Sequence, residues 1–178
     1  MVSDKVQFMR IAVYEPDIPQ NLGAMMRLAA CMGIPTDVVG PCGFPFSIEY
    51  PSTNKNLNRV VMDYATLAKI TEHRSWNAFM AESQHPTSRL LLLTTSGDTL
   101  YTDFSYNAND TLLVGRESGG VPKEVHDQVD ARIRIPLVLG ARSLNVVVAA
   151  AMVLGEALRQ TNTFPLYAGG HHGDEASL

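Results

Sequence analysis

Three short stretches carry the residue types that chemistry could use. Gly115-Arg116-Glu117-Ser118-Gly119-Gly120 sets one carboxylate among glycines, Gly140-Ala141-Arg142-Ser143-Leu144-Asn145 ends on a side-chain amide, and Asn21-x-Gly23-x-x-x-Arg27 pairs an amide with a guanidinium. A glycine-rich turn can bring its backbone N–H and C=O groups against a ligand, because no Cβ stands in the way. The chemistry this permits is capture of a small ligand, largely by main chain, beside a single glutamate.

Several familiar readings fail on inspection. No Gly-Lys-Ser/Thr follows Gly115–Gly120, so a lysine-based phosphate cradle is unsupported. Ser118 is not a nucleophile elbow, since Arg116 and not glycine stands two residues before it. The first apolar run is not followed by Gly-x-Gly-x-x-Gly, which weakens a dinucleotide site. Cys31 and Cys42 have no metal-ligand spacing and read as plain thiols in a reducing compartment.

Turns of this kind need elements to carry them. Apolar runs at Thr111–Val114 and Ile133–Leu139 each stop at one of the two turns, and in open α/β sheets ligands sit beyond the carboxyl ends of the strands. The expectation is that Gly115, Glu117, Gly119 and Gly120 face Gly140, Arg142, Ser143 and Asn145 across one pocket. Further strands are expected at Val6–Tyr14, Thr36–Val39, Leu67–Thr71 and Arg89–Thr95, the last a leucine run suited to a central parallel strand. Asn21 reads as the N-cap of a helix to Met32. Helices are also expected over Ser52–Met62, Arg74–Ser83, Lys123–Gln128 and Leu144–Thr161, and Asp98–Asp110 as a polar surface connection. Trp76 reads as a core residue. The fold class is α/β, a mostly parallel sheet flanked by helices.

In the first helix Gly23 and Arg27 share a face, and spacing alone favours an exposed arginine in a salt bridge. The last helix is apolar all round from Val146 to Leu154, so it needs cover on every side. The sheet can cover one side, and a second copy of the chain is the simplest cover for the other.

The whole is 178 residues with net charge -4, 46% hydrophobic and 18% charged, which is the material of one globular domain. We expect a single domain over residues 1–163 and a flexible tail over 164–178, in which His171 and His172 are solvated. The charge does not advertise a nucleic-acid binder, although Arg116, Lys123, Arg132, Arg134 and Arg142 gather near the pocket turns. No run reaches the ~18 apolar residues of a membrane span, and the N-terminus lacks an apolar signal region, so the cytoplasm is expected.

Taken in order, Asn21-Leu22-Gly23 with Arg27, Gly115-Arg116-Glu117-Ser118-Gly119-Gly120-Val121-Pro122, and Arg142-Ser143-Leu144-Asn145 resemble the three ordered motifs of the SPOUT-class RNA ribose 2'-O-methyltransferases. Tyr14-Glu15-Pro16-Asp17-Ile18-Pro19-Gln20-Asn21 more narrowly resembles the tRNA (cytidine/uridine-2'-O)-methyltransferases acting at the anticodon wobble position. The resemblance spans about Val6 to Gln160. Arg116 stands where many relatives have proline, and Gly155 where some have tyrosine.

The resemblance implies S-adenosylmethionine as methyl donor, a C-terminal deep trefoil knot, a homodimer, a tRNA anticodon stem-loop as substrate, and no metal. It further implies Leu93, Gly115, Ile135, Ser143 and Leu144 as cofactor-binding positions, and Asn21, Arg27, Glu117 and Asn145 as catalytic or substrate-organising ones. A guanidinium is a donor-only group that does not give up its proton in proteins, so a grip on phosphate and on a developing 2'-alkoxide suits Arg27 better than a base's role. The competing expectations are the same reaction on another tRNA or ribosomal RNA position, and a non-catalytic RNA-binding module.

Overall fold

The structure is a computed structural model that describes residues 9–48, 57–59, 63–64, 67–83 and 88–166. Its strands are β1 (Arg10–Tyr14), β2 (Thr36–Val39), β3 (Ile70–His73), β4 (Leu90–Leu93), β5 (Thr99–Leu100), β6 (Thr111–Val114) and β7 (Ala131–Arg134). Helices α1 (Pro19–Cys31), α2 (Trp76–Ser83), α3 (Lys123–His126) and α4 (Val146–Thr161) connect or follow them.

The seven strands form one sheet in the order β3-β2-β1-β6-β4-β7-β5, every pairing parallel. Parallel neighbours need crossovers, and the crossovers cover both faces of the sheet. That is why the central strands read as unbroken apolar runs. Successive side chains alternate between two cores: Ile11, Val13, Leu91, Leu112 and Val114 pack with Met25 and Met26 of α1 and Val153, Leu154 and Ala157 of α4. Ala12, Tyr14, Leu90, Leu92 and Leu113 pack with Phe79 of α2 and Val125 of α3 on the opposite face. Trp76 sits edge-on to Tyr14 at 5.9 Å beside that second core, as expected of it.

Charges buried near the amino ends of β1, β2, β4 and β6 are paired. Arg10 binds Asp37 bidentately at 2.8 and 2.7 Å, and the His73 ring nitrogen Nε2 lies 2.8 Å from the same carboxylate. Arg89 forks onto Asp110 at 2.9 and 2.7 Å. Each buried carboxylate therefore keeps a partner that offsets its lost hydration. The opposite rim, at the carboxyl ends, is left to loops.

The sequence expectations need four adjustments. Asp98–Asp110 is not only a surface connection: it contains edge strand β5 and the buried Tyr106 and Asp110. The run Ile133–Leu139 is strand only at its start, because β7 spans Ala131–Arg134 and Val138 and Leu139 are exposed. The third strand is Ile70–His73, later than expected. Asn21 is not an N-cap; Ile18 holds that position with no side-chain bond, and Pro19 opens the helix. Residues 57–59 are helical, while the rest of the expected Ser52–Met62 helix, the start of the first strand and the tail beyond residue 166 lie outside the described residues.

Candidate active site

Beyond the carboxyl ends of β4, β6 and β7 lies a cleft of ≈ 690 Å³. Its walls include Leu93, Gly115, Ile135, Ser143 and Leu144, together with Asn21, Glu117 and Asn145. Eight of the nine residues that the resemblance implies thus meet in one place, with Gly119, Gly120 and Arg142 beside them; Gly140, expected across the same pocket, is not among the lining residues. Arg27 is the ninth and is not among the lining residues: it is exposed on α1, its guanidinium 5.4 Å from the centre of the half-buried Tyr64 ring. An aromatic face holds a cation without neutralising it.

The turn after β6 owes its shape to two glycines. A Cβ on Gly115 would stand 2.5 Å from the carbonyl carbon of Gly120, closer than real atoms approach. Gly120 itself has φ +65°, a region that glycine enters without steric cost. The close fit lets Arg116 and Gly120 exchange backbone hydrogen bonds at 3.1 and 2.8 Å, closing the turn. Between them, Glu117 is thrust toward α1.

There the polar groups form a chain. Asn21 donates from Nδ2 to Glu117 Oε1 at 2.8 Å, and Asn145 donates from Nδ2 to Asn21 Oδ1 at 3.1 Å. Asn145 Oδ1 meanwhile caps α4, accepting from the amides of Val147 at 2.9 Å and Val148 at 3.3 Å. The cap fixes the asparagine side chain in one orientation. Three residues from three parts of the sequence are therefore set as a unit.

Two residues that sequence reasoning did not single out hold the turn after β6 in place. Asp17 accepts from the amides of Glu117 and Ser118 at 3.1 and 3.2 Å, while its own amide donates to Glu117 Oε2 at 3.3 Å. Arg116 pairs with Glu15 at 3.1 Å, and Glu15 holds the uncommon backbone angle φ 42°. Both belong to the stretch Tyr14–Asn21. Only the meeting of two loops a hundred residues apart reveals their part.

The electrostatics follow from this packing. Burial, reinforced by the neighbouring Asp17, pushes the Glu117 carboxyl above the ordinary carboxylate range. Hydrogen bonding with Glu117, helped by the Ser118 and Glu117 amides, holds Asp17 down at about 2. Asp17 is the resident anion of the pair, and Glu117 is the carboxyl that keeps its proton longer.

Residues 9–155 match the model of the SpoU rRNA methylase family. The chain belongs to the SpoU methylase family. This SpoU methylase is 49% identical over 150 residues to a tRNA (cytidine(34)-2'-O)-methyltransferase of Beijerinckia indica subsp. indica, covering 84% of this chain and 90% of that one. It is 36% identical over 154 residues to the enzyme of the same name from Escherichia coli, covering 85% and 93%. A solved structure concerned with the 2-OH methylation of C/U34 on tRNA aligns at TM-score 0.77 and 31% identity, over 86% of this chain and 96% of that chain. An AdoMet-bound rRNA methyltransferase from Sinorhizobium meliloti aligns at TM-score 0.73 and 26% identity, over 85% of this SpoU methylase and 56% of that chain.

Proposed function

We propose that this chain transfers a methyl group from S-adenosylmethionine to the ribose 2'-hydroxyl of nucleotide 34, cytidine or uridine, in a tRNA anticodon. The observation that carries the proposal is the Asn145–Asn21–Glu117 chain of side-chain bonds beside a glycine-walled cleft, in a SpoU methylase whose relatives at 49% and 36% identity bear that activity in their names.

The cleft suits S-adenosylmethionine by its donor set. Leu93, Ile135 and Leu144 offer apolar wall, and Gly115 and Ser143 complete the lining. The ligand, when bound, supplies a methyl already activated on a sulfonium. What is left to the protein is to align the acceptor oxygen and to manage its proton. Asn21, fixed by two partners, and Asn145, fixed by three, orient the ribose. Glu117, poised to hold or release a proton, stands beside them. Arg27, exposed on α1 outside the cleft lining, binds a neighbouring phosphate of the RNA through its fork of N–H donors. No group of His, Cys, Asp and Glu among the described residues is arranged to hold a metal.

The same proposal includes a deep trefoil knot in the C-terminal third. Its support is the resemblance of the three ordered motifs to the SPOUT class, together with the family match over residues 9–155 and the alignment at TM-score 0.77. It includes a homodimer through α4. Val148 and Met152, one turn apart, are exposed, and a side chain at Gly155 on the same face would meet open space. It also includes one domain over residues 1–163 and residence in the cytoplasm with the tRNA substrate. Among the described residues no helix is long and apolar enough to cross a membrane.

The test is transfer of labelled methyl from S-adenosylmethionine to unmodified tRNA, with the product nucleoside mapped. Label in a 2'-O-methylpyrimidine at position 34 supports the proposal. Label at another position keeps the reaction and discards the target, and absence of label despite bound S-adenosylmethionine discards the acceptor.

A further inference from the structure

Asp17 has no part in the roles given above, yet it ties the loop after β1 to the turn after β6. Its two carboxylate oxygens are divided between successive amides, Oδ1 taking the N–H of Glu117 at 3.1 Å and Oδ2 that of Ser118 at 3.2 Å. Its own N–H returns a bond to Glu117 Oε2 at 3.3 Å. The clamp therefore grips both the backbone and the side chain of Glu117.

Asp17 is also braced from behind. A Cβ on Gly43 would lie 2.9 Å from Asp17 Cβ, and the Gly43 amide donates to Pro16 O at 2.8 Å. The carboxylate can retreat no further from the turn it holds. Next to it, the Arg116–Glu15 pair at 3.1 Å ties the same two loops a second time.

We propose that Asp17 is a positioning residue for methyl transfer, its carboxylate fixing the Glu117–Ser118 backbone and so aiming the Glu117 carboxyl at Asn21. This rests on the reading that Glu117, Asn21 and Asn145 organise the acceptor. Only a carboxylate serves, because both of its oxygens accept. An asparagine of the same size presents one oxygen and one NH2, and the NH2 would point hydrogens at an N–H. Asp17→Asn therefore breaks the clamp while leaving side-chain volume almost unchanged.

The experiment compares the parent with Asp17→Asn and Glu117→Ala in three measurements. These are single-turnover methyl transfer to unmodified tRNA at saturating S-adenosylmethionine, calorimetric Kd for S-adenosylmethionine, and amide hydrogen exchange at Glu117 and Ser118. In Asp17→Asn, exchange at both amides speeds up, the Kd changes little, and the single-turnover rate falls about 10- to 100-fold, the scale expected when reacting groups shift by about 1 Å.

Unchanged exchange overturns the clamp, whatever the rates. A normal rate in Asp17→Asn with Glu117→Ala impaired overturns the positioning role and leaves the assigned machinery standing. An unimpaired Glu117→Ala overturns that machinery, and the role of Asp17 with it. A rate loss explained wholly by weaker S-adenosylmethionine binding or by a smaller folded fraction also overturns the proposal.

Discussion

The side-chain amide of Asn145 donates to the side-chain oxygen of Asn21 at 3.1 Å, joining positions 124 apart in sequence. Asn145 has a second task as the cap of α4. The two tasks are separable. Asn145→Ala loses both, costing about 1 kcal/mol of stability for the cap together with methyl-transfer activity. Asn145→Asp keeps an oxygen for the Val147 and Val148 amides but has no hydrogen for Asn21. Urea unfolding should find it near parental stability, and labelled-methyl assays should find it impaired.

Gly115 tolerates no side chain. Gly115→Ala sets a Cβ against the backbone of Gly120 at 2.5 to 2.8 Å, and backbone cannot rotate aside. The overpacking costs about 1–3 kcal/mol of folding stability. Urea unfolding should find the variant destabilised on that scale, with the helical circular-dichroism signal retained, and calorimetry should show S-adenosylmethionine binding weakened.

Stability should carry the mark of the Asp17–Glu117 pair. Asp17 is lowered from its ordinary 3.8 to about 2, so its contribution is complete above pH 3.8 and is lost as the pH falls toward 2. Glu117 is raised above its ordinary 4.5, so its contribution has the opposite sign: present below pH 4.5 and lost as the pH rises through the shifted value. Urea midpoints between pH 5 and pH 2 should fall less steeply for Asp17→Asn than for the parent. Above pH 4.5 the parent should lose stability relative to Glu117→Gln.

Arg27 rests on an aromatic ring rather than a carboxylate, so the ring is what matters at Tyr64. Tyr64→Phe should turn over like the parent, and Tyr64→Ala should slow turnover several-fold, a cation–π contact being worth about 0.5–1 kcal/mol at an exposed site. Arg27→Lys keeps the charge and loses the fork. A lysine variant with near-full turnover would contradict a bidentate role for Arg27.

The exposed stripe on α4 is tested by charge. Val148→Asp puts a carboxylate at the centre of the face assigned to the second copy, where burial of an unpaired charge is costly. Sedimentation equilibrium should show a dimeric parent and a monomeric variant, with methyl transfer lost alongside the dimer.

What the sequence disclosed follows from burial. Leu90–Leu93 and Thr111–Val114 are covered on both faces, so each reads as an apolar run and each is a strand as expected. The glycine turns were legible for the same kind of reason, since chain geometry there leaves room for nothing else. Ile133–Leu139 misled because apolar residues serve two ends in it: Ile133 fills the core, whereas Ile135 and Leu137 line the cleft. Arg132 and Arg134 sit within the true strand and mask it. Thr99–Leu100 is too short, and only half-buried, to leave a pattern. Asn21 has the residue type of a cap, but its amide is spent on Glu117, and Asp17 shows nothing of its role until the two loops meet.

The strand order also governs how the molecule can be made. β1 lies between β2, which follows it closely in sequence, and β6, to which it pairs from Arg10↔Thr111 to Val13↔Val114. A chain leaving the ribosome in order can zip β1 to β2 and β2 to β3 early, yet one edge of β1 stays open until Thr111–Val114 has been translated. Open apolar edges recruit other chains, and pairings this distant in sequence form slowly. The same central strand that anchors the finished sheet is thus the segment most in need of chaperone cover while translation continues.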